Sequence, residues 1–404
     1  MVSPFFWIRY TGWMNGLWAV WLACVKPVDL GALEPSSGAS LGAMRGPVAA
    51  LPAPGQRVDR VMFGSCAQQE EPMPILRHVQ PGETDIFVML GDNVYGDDKR
   101  GDGRLEGLRA AYAALAVQPD FRAVSSAVPI LPTWDDHDFG KNDAGAEFEY
   151  RSYSEALFES FWGVESPDPR ATRAGVYGGW VFGPEGERLQ LLLLDTRFFR
   201  SELRSKRRWS WRKGRYRESQ SESQDMLGDE QWAWLEAQLA RPADLRVIVS
   251  SVQVLATNHG WERWGQLPAE RDRLLALLHA HPNTVIVSGD RHWASVYRDE
   301  TGLTELTTSA INRPAKHRIR EAGIHQITLP FTEVNLGALE IDWPNKTAHL
   351  ILLDENGVSQ ADIAVQIRDQ SDESMGSEGS QMMVPLHMPP GNDDDGPGSQ
   401  RSPQ

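Results

Sequence analysis

Several short segments of this chain are apolar at nearly every position, and helical patterns separate most of them. Val58–Gly64, Asp85–Leu90, Pro129–Trp134, Leu189–Leu194, Arg246–Val252 and Thr284–Ser288 read as strands rich in Val, Ile and Leu. A strand with apolar side chains at both odd and even positions must be covered on both faces, as in a parallel sheet with layers above and below. Leu105–Leu115, Ser154–Trp162, Asp229–Leu239 and Glu270–His279 read as amphipathic helices, the last two opened by acidic residues that suit a helix N-terminus. This alternation predicts a layered α/β fold. The segments Leu303–Thr308, Ala338–Trp343 and Ala348–Leu353 follow without helices between them and predict a terminal antiparallel sheet. No internal repeat is present.

Size and charge narrow the function classes. The chain has 404 residues, with 40 basic and 55 acidic side chains and a formal net charge of −15, which argues against general binding to nucleic-acid backbone or anionic membrane. It has two cysteines, Cys24 and Cys66, too few for a disulfide framework or a four-thiolate zinc module. Arg9 is followed by an uncharged window of 16 residues through Val25, shorter than the ~20 residues a spanning helix needs. Residues 1–25 therefore read as an export signal, placing the protein in a periplasmic, cell-surface or extracellular location. Cys24, in Trp21-Leu22-Ala23-Cys24, resembles a lipoprotein cleavage box, so the alternatives are ordinary cleavage nearby or a lipid anchor at Cys24. Residues 26–57, rich in Pro, Gly, Ala and Ser, read as a flexible linker, 58–367 as the folded domain, and 368–404 as a disordered acidic tail containing Asp393-Asp394-Asp395.

One stretch departs from the acidic balance. Arg204, Lys206, Arg207, Arg208, Arg212, Lys213, Arg215 and Arg217 interleave with Trp209, Trp211 and Tyr216. It reads either as a solvated insertion or as a grip for an anionic substrate.

In open α/β sheets, ligands collect beyond the carboxyl ends of the strands. Four of those ends carry chemistry here: Gly64-Ser65-Cys66, Gly91 to Asp98 with Asp92 and Tyr95, Asp135-Asp136-His137-Asp138 followed by Asn142, and Ser288-Gly289-Asp290-Arg291-His292. Each alone is weak, since a Gly-Asp is often only a turn and a lone His is often structural. Together they gather like charge that a cation would offset, so they point to a metal site.

This set, with Leu194-Asp195-Thr196-Arg197 and with Trp264, Pro268, Glu270 and Arg271, resembles the alkaline phosphatase D-like (PhoD-like) metallophosphatases, a branch of the calcineurin-like phosphoesterases. The resemblance runs from about Arg60 to Leu353. It implies a four-layer α/β/β/α sandwich and a centre of ferric iron with calcium. Asp92 would bridge two metals, Cys66, Tyr95 and His292 would complete the iron site, and Asp136 and Asp290 would face the second metal. Thiolate and phenolate suit a high-valent transition metal, whereas calcium prefers oxygen donors.

The resemblance further implies hydrolysis of phosphomonoesters by a metal-bound hydroxide. His137 would protonate the leaving group or position the phosphate, with Asp138 or Asp135 orienting its ring, while Asn142 and Arg291 would contact the phosphate. Asp195 and Arg197 read as a structural pair beneath the site, and the role of Gln253 is open. The usual Asp-x-His opening of the wider superfamily is replaced here by Ser65-Cys66-Ala67. Competing readings are a phosphodiesterase or phospholipase of the same fold, a tethered non-catalytic surface protein, and a Cys66 nucleophile, the last without a nearby base in sequence. The implied partner is a phosphate ester, with no nucleic-acid-binding module and membrane contact only through a lipid anchor.

Overall fold

The computed structural model describes residues 10–14, 17–21, 41–99, 101, 103–207, 214–316, 319 and 323–368. Cys24, residues 22–40, Arg208–Lys213 and 369–404 lie outside them. Contacts divide the chain into two units, and every described helix and strand belongs to Met1–Ile367.

Strands β1 (Tyr10–Met14) and β2 (Leu17–Trp21) pair antiparallel where the sequence reads as an export segment. No described helix is long and apolar enough to cross a membrane. Helix α1 (Leu41–Arg45) falls inside the stretch that reads as a linker. Leu41 joins the core, and the Arg45 guanidinium lies 5.5 Å from the Phe161 ring centroid, so this part is packed onto the body.

The body then runs β3 (Arg60–Gly64), β4 (Ile86–Leu90), α2 (Glu106–Val117), α3 (Pro119–Ala127), β5 (Ile130–Thr133), α4 (Asp136–Phe139) and α5 (Arg151–Trp162). Its second half runs β6 (Gly178–Phe182), β7 (Leu189–Leu193), α6 (Gly228–Leu239), β8 (Leu245–Ser250), α7 (Pro268–His279), β9 (Thr284–Ser288), β10 (Ser295–Arg298) and β11 (Thr304–Thr307). Strands β12 (Asn335–Asp342), β13 (Thr347–Asp354) and β14 (Ser359–Gln366) finish it. Two six-stranded sheets result, one ordered β14-β13-β12-β3-β4-β5 and the other β10-β11-β9-β8-β7-β6.

Alternate side chains of each central strand serve different cores, which is why these strands are apolar throughout. Val61, Phe63, Ile86 and Val88 of the first sheet meet Leu191, Val247, Val249 and Val285 of the second between the sheets. Met62, Phe87 and Met89 point the other way, onto Leu108, Phe121 and Phe158 of the helices. Leu192, Ile248 and Ile286 likewise pack on Trp232, Leu235 and Leu274 of α6 and α7. The layers are therefore α/β/β/α, as expected.

The late strands differ from the expected terminal antiparallel sheet. β12 and β13 pair antiparallel but extend the first sheet through β3, and β14 adds a further strand. β11 instead pairs parallel with β9, so its carboxyl end lies beside that of β9. A hairpin through β10 folds it back there, a return that strand composition does not reveal.

Helix α5 half-buries a carboxyl group. Burial, with Glu159 beside it, pushes Glu155 up from an ordinary 4.5 to about 8, although Gly175 N–H donates to it. Its protonated form is favoured in the fold, so that contribution to stability is full below pH 4.5 and is lost as pH rises to about 8. Glu155→Gln should remove on the order of 2 kcal/mol of the fall in unfolding free energy between pH 5 and 8.5. Urea titrations at both pH values check this, and an unchanged fall in the variant would refute it.

Candidate metal centre

The carboxyl ends of β3, β4, β5 and β9 place their loops along one edge of the sandwich. Glycines let those loops touch: a Cβ on Gly91, whose φ is +102°, would lie 2.6 Å from the Asp135 Cβ, and one on Gly289 would lie 2.7 Å from the Ser65 Oγ. Among the described residues eight non-glycines have positive φ, and five of them, Cys66, Asp92, Asp143, Asp290 and His292, belong to this edge. Such left-handed backbone costs energy in a residue with a Cβ and concentrates at functional sites.

Asp92 is the hub. Its Oδ2 accepts from the Tyr95 hydroxyl at 2.9 Å and from the Cys66 thiol at 3.6 Å, while its Oδ1 accepts from the His137 N–H at 3.4 Å. Two groups of metal-competent atoms share it, Cys66-Asp92-His292 and Asp92-Asp136-His137, each within 4.8 Å internally. One carboxylate thus faces both sets, which is the geometry a bridging ligand needs. The His292 Nδ1 donates to the Arg313 carbonyl at 2.7 Å, which leaves the Nε2 lone pair for a cation. Ser309 steadies this side, its Oγ accepting from the His292 N–H at 2.8 Å and lying 3.1 Å from the Cys66 Sγ.

The electrostatics call for a cation. Burial pushes Asp92 and Asp290 well above the carboxylate range, and it pushes the Cys66 thiol up to about 11. Burial also drives the Tyr95 phenol upward, against the Arg313 guanidinium 3.8 Å from its ring centroid. Sulfur, phenol, imidazole and carboxylate on one side suit a transition metal, and two carboxylates with the His137 imidazole form the other side. Asp290 shares the edge but joins neither group among the described residues, its Oδ2 lying 3.7 Å from Arg291.

A third acidic group, Asp136-Asp143-Glu262, is already served by protein cations. Arg197 forms ion pairs with Asp135 and Glu262, Arg200 reaches Glu262 at 3.0 Å, and Arg215 pairs with Asp143.

The contacts that hold the expected residues change the partner of His137 and that of Arg197. The His137 Nδ1 lies 2.8 Å from the Asp97 Oδ2, so Asp97 orients the ring. Asp135 is held by Arg197 and Ser251, and Asp138 accepts from the Asn93 backbone at 3.0 Å and its amide at 2.6 Å. Asp195 takes backbone N–H groups of Val176, Arg197 and Phe198, so the Arg197 guanidinium pairs elsewhere. Gln253 bridges Tyr297, Thr307 and His259 and is structural. Asn142 is exposed on the loop after α4, and Trp264 and Glu270 are scaffold, bonded to Ser250 and to Trp232 respectively. Asp97 lies within the Gly91 to Asp98 motif and Asp143 directly follows Asn142, whereas Ser309 follows β11 and required the true position of that strand.

Arg197 is fully buried, so removing it leaves Asp135 without a cation and Glu262 with Arg200 alone. Arg197→Met should cost about 3 to 5 kcal/mol of stability. Adding Asp135→Asn and Glu262→Gln should recover more than half of it in chemical denaturation, and no recovery would show that the charges are not the cause.

The sequence model of the family described as PhoD-like phosphatase matches residues 61–329. Alkaline phosphatase D of Bacillus subtilis (strain 168) is 26% identical, over a region covering 61% of this chain and 48% of that protein, so the chain spans about half of its relative's length. Among solved structures, one described as PhoD superposes with a TM-score of 0.59 at 18% identity, covering 79% of this chain and 72% of the other. GAP50, the anchor in the inner membrane complex of Plasmodium, superposes at 0.50 and 12% identity, covering 78% of this chain and 90% of its own. At such identities these two likenesses establish the shared fold alone. With the family match spanning most of the folded unit and the same strand ends gathered around Asp92, the chain belongs to the PhoD-like phosphatase family.

Proposed function

We propose that this chain is an exported, metal-dependent phosphoric ester hydrolase that acts on phosphomonoesters. One observation carries the reading: Cys66, Asp136, His137 and His292, from three strand ends, meet around the buried Asp92 carboxylate at a fourth. The donor chemistry supports ferric iron at Cys66, Tyr95 and His292, calcium toward Asp136 and Asp290, and Asp92 between them. Bound cations supply Lewis acidity toward a phosphate oxygen and toward water.

The chain's own residues supply positioning and protons. Asp97 on the His137 Nδ1 leaves Nε2 as the nitrogen that passes a proton to the leaving alkoxide. Burial opposes charge on this imidazole, but Asp136, Asp92 and Asp97 raise it to about 11. Arg291 and Asn142 are the phosphate contacts in this reading, Arg291 lying close to Asp290 and Asn142 one residue from Asp143. Arg9 and the uncharged window through Val25 support export, with lipidation at Cys24 as its anchored form.

Metal analysis of the purified protein, with hydrolysis of p-nitrophenyl phosphate and its bis-ester, tests the core of this. The wild type should hold a transition metal and cleave the monoester faster, and Asp92→Asn should lose at least about 100-fold in kcat/KM. No transition metal and no cleavage of either ester defeats the reading, and a faster diester defeats its monoester part. A visible charge-transfer band should weaken in Cys66→Ser and Tyr95→Phe, whereas a colourless protein with stoichiometric iron speaks against that ligand set. Asp97→Asn should lower kcat about tenfold, and more for poor leaving groups than for good ones, since it acts through the general acid. An equal loss for both assigns Asp97 a merely structural role.

A further inference from the structure

The basic stretch between β7 and α6 is built into the body. Its described arms form a hairpin, with the Lys206 N–H donating to the Arg215 carbonyl at 2.8 Å and the Arg217 N–H to the Arg204 carbonyl at 3.0 Å. A Cβ on Gly214, whose φ is +104°, would lie 2.1 Å from the Gly260 carbonyl carbon, so the two backbones are in contact. Tyr216 is 6% exposed, and its hydroxyl donates to the Asp143 Oδ2 at 2.7 Å. Asp143 in turn donates its N–H to the Asp136 Oδ2 at 2.7 Å, which joins the hairpin to the metal centre.

Beside the hairpin lies a cavity of about 380 Å³, walled by Lys206, Arg217, Arg263, Glu218, His259 and Asn258, among others. Three cations face one carboxylate there, and three less one leaves about two positive charges in a protein whose net charge is −15. Arg263 is 6% exposed and donates to the Glu218 Oε1 at 2.9 Å and to the His259 carbonyl at 2.8 Å, so its guanidinium is fixed in place. His259 is neutral by its bonds: Nδ1 accepts from the Trp261 N–H at 3.2 Å, and the Nε2 proton goes to the Gln253 Oε1 at 3.0 Å. With Arg263 paired to Glu218, the net positive charge of the recess is that of the half-buried Lys206 and the exposed Arg217, and such a recess favours anions.

We infer that this cavity is a second anion subsite, which holds a phosphate or carboxylate on the leaving-group part of the substrate while the reacting phosphoryl group lies at the metal centre. Its substrate class is the phosphate ester bearing a second anionic group, and the inference rests on the phosphoesterase reading above.

Calorimetry on the full-length, metal-loaded protein with alkane-α,ω-bisphosphonates of increasing length, ω-carboxyalkylphosphonates and simple alkylphosphonates tests it without turnover. A bisphosphonate or carboxyalkylphosphonate of matching length should bind at least about tenfold more tightly than the alkylphosphonate, about 1.4 kcal/mol. Whichever anion gives the larger gain identifies the group the subsite takes. Lys206→Ala combined with Arg217→Ala should abolish the gain while alkylphosphonate binding and p-nitrophenyl phosphate hydrolysis stay within about twofold. No gain at any length, or a gain that survives the double variant, overturns the inference. If neither p-nitrophenyl phosphate nor its bis-ester is hydrolysed but the gain is present, the proposed function fails and anion binding in the recess stands without it.

Discussion

Asp92, Asp135, Asp136 and Asp138 are buried and Asp290 half-buried within one edge of the sandwich, and the cost of holding like charges away from water governs what surrounds them. Two solutions are used side by side. Toward the second sheet, the buried Arg197 lies between Asp135 and Glu262, with Arg200 added to Glu262. Asp92, by contrast, forms no ion pair with an arginine among the described residues, since the Arg313 guanidinium lies over the Tyr95 ring instead, and there the donor set suits a metal. The ion-paired arginines thus mark where the protein supplies its own cation, and Asp92, with no such pair among the described residues, marks where it does not.

The sandwich makes this arrangement reachable from short loops. β3, β4 and β5 run parallel in one sheet, and β7, β8, β9 and β11 in the other, so loops from both sheets emerge toward one edge. Side chains such as Cys66 and His292, 226 positions apart, then need only the reach of a turn to approach Asp92. The doubly apolar strands fix where those turns start, and close contacts at Gly91 and Gly289 fix how near they come.

Much of this was legible in the chain. The central strands and the four long helices lie where apolar runs and periodicity put them, because double burial leaves a dense signature. The ligand candidates were legible because they directly follow those strands. What escaped detection depends on tertiary return paths. β11 carries the same composition whether it extends an antiparallel sheet or sits parallel to β9, and with its position Ser309 was missed. The partner of His137 was open among several nearby carboxylates, and only the capture of Asp138 by Asn93 and of Asp135 by Arg197 leaves Asp97 for it. Likewise the basic hairpin reads as surface charge until Tyr216 is seen bonded to Asp143.

The left-handed backbone at Cys66, Asp92, Asp290 and His292 sets stability and chemistry against each other at these positions. Glycine at any of them relaxes the backbone while deleting a donor, so the least strained form of this fold is one without its site. Loss of reactivity is therefore separable from loss of architecture: a single substitution can silence the centre and leave a sturdier sandwich to serve as a platform.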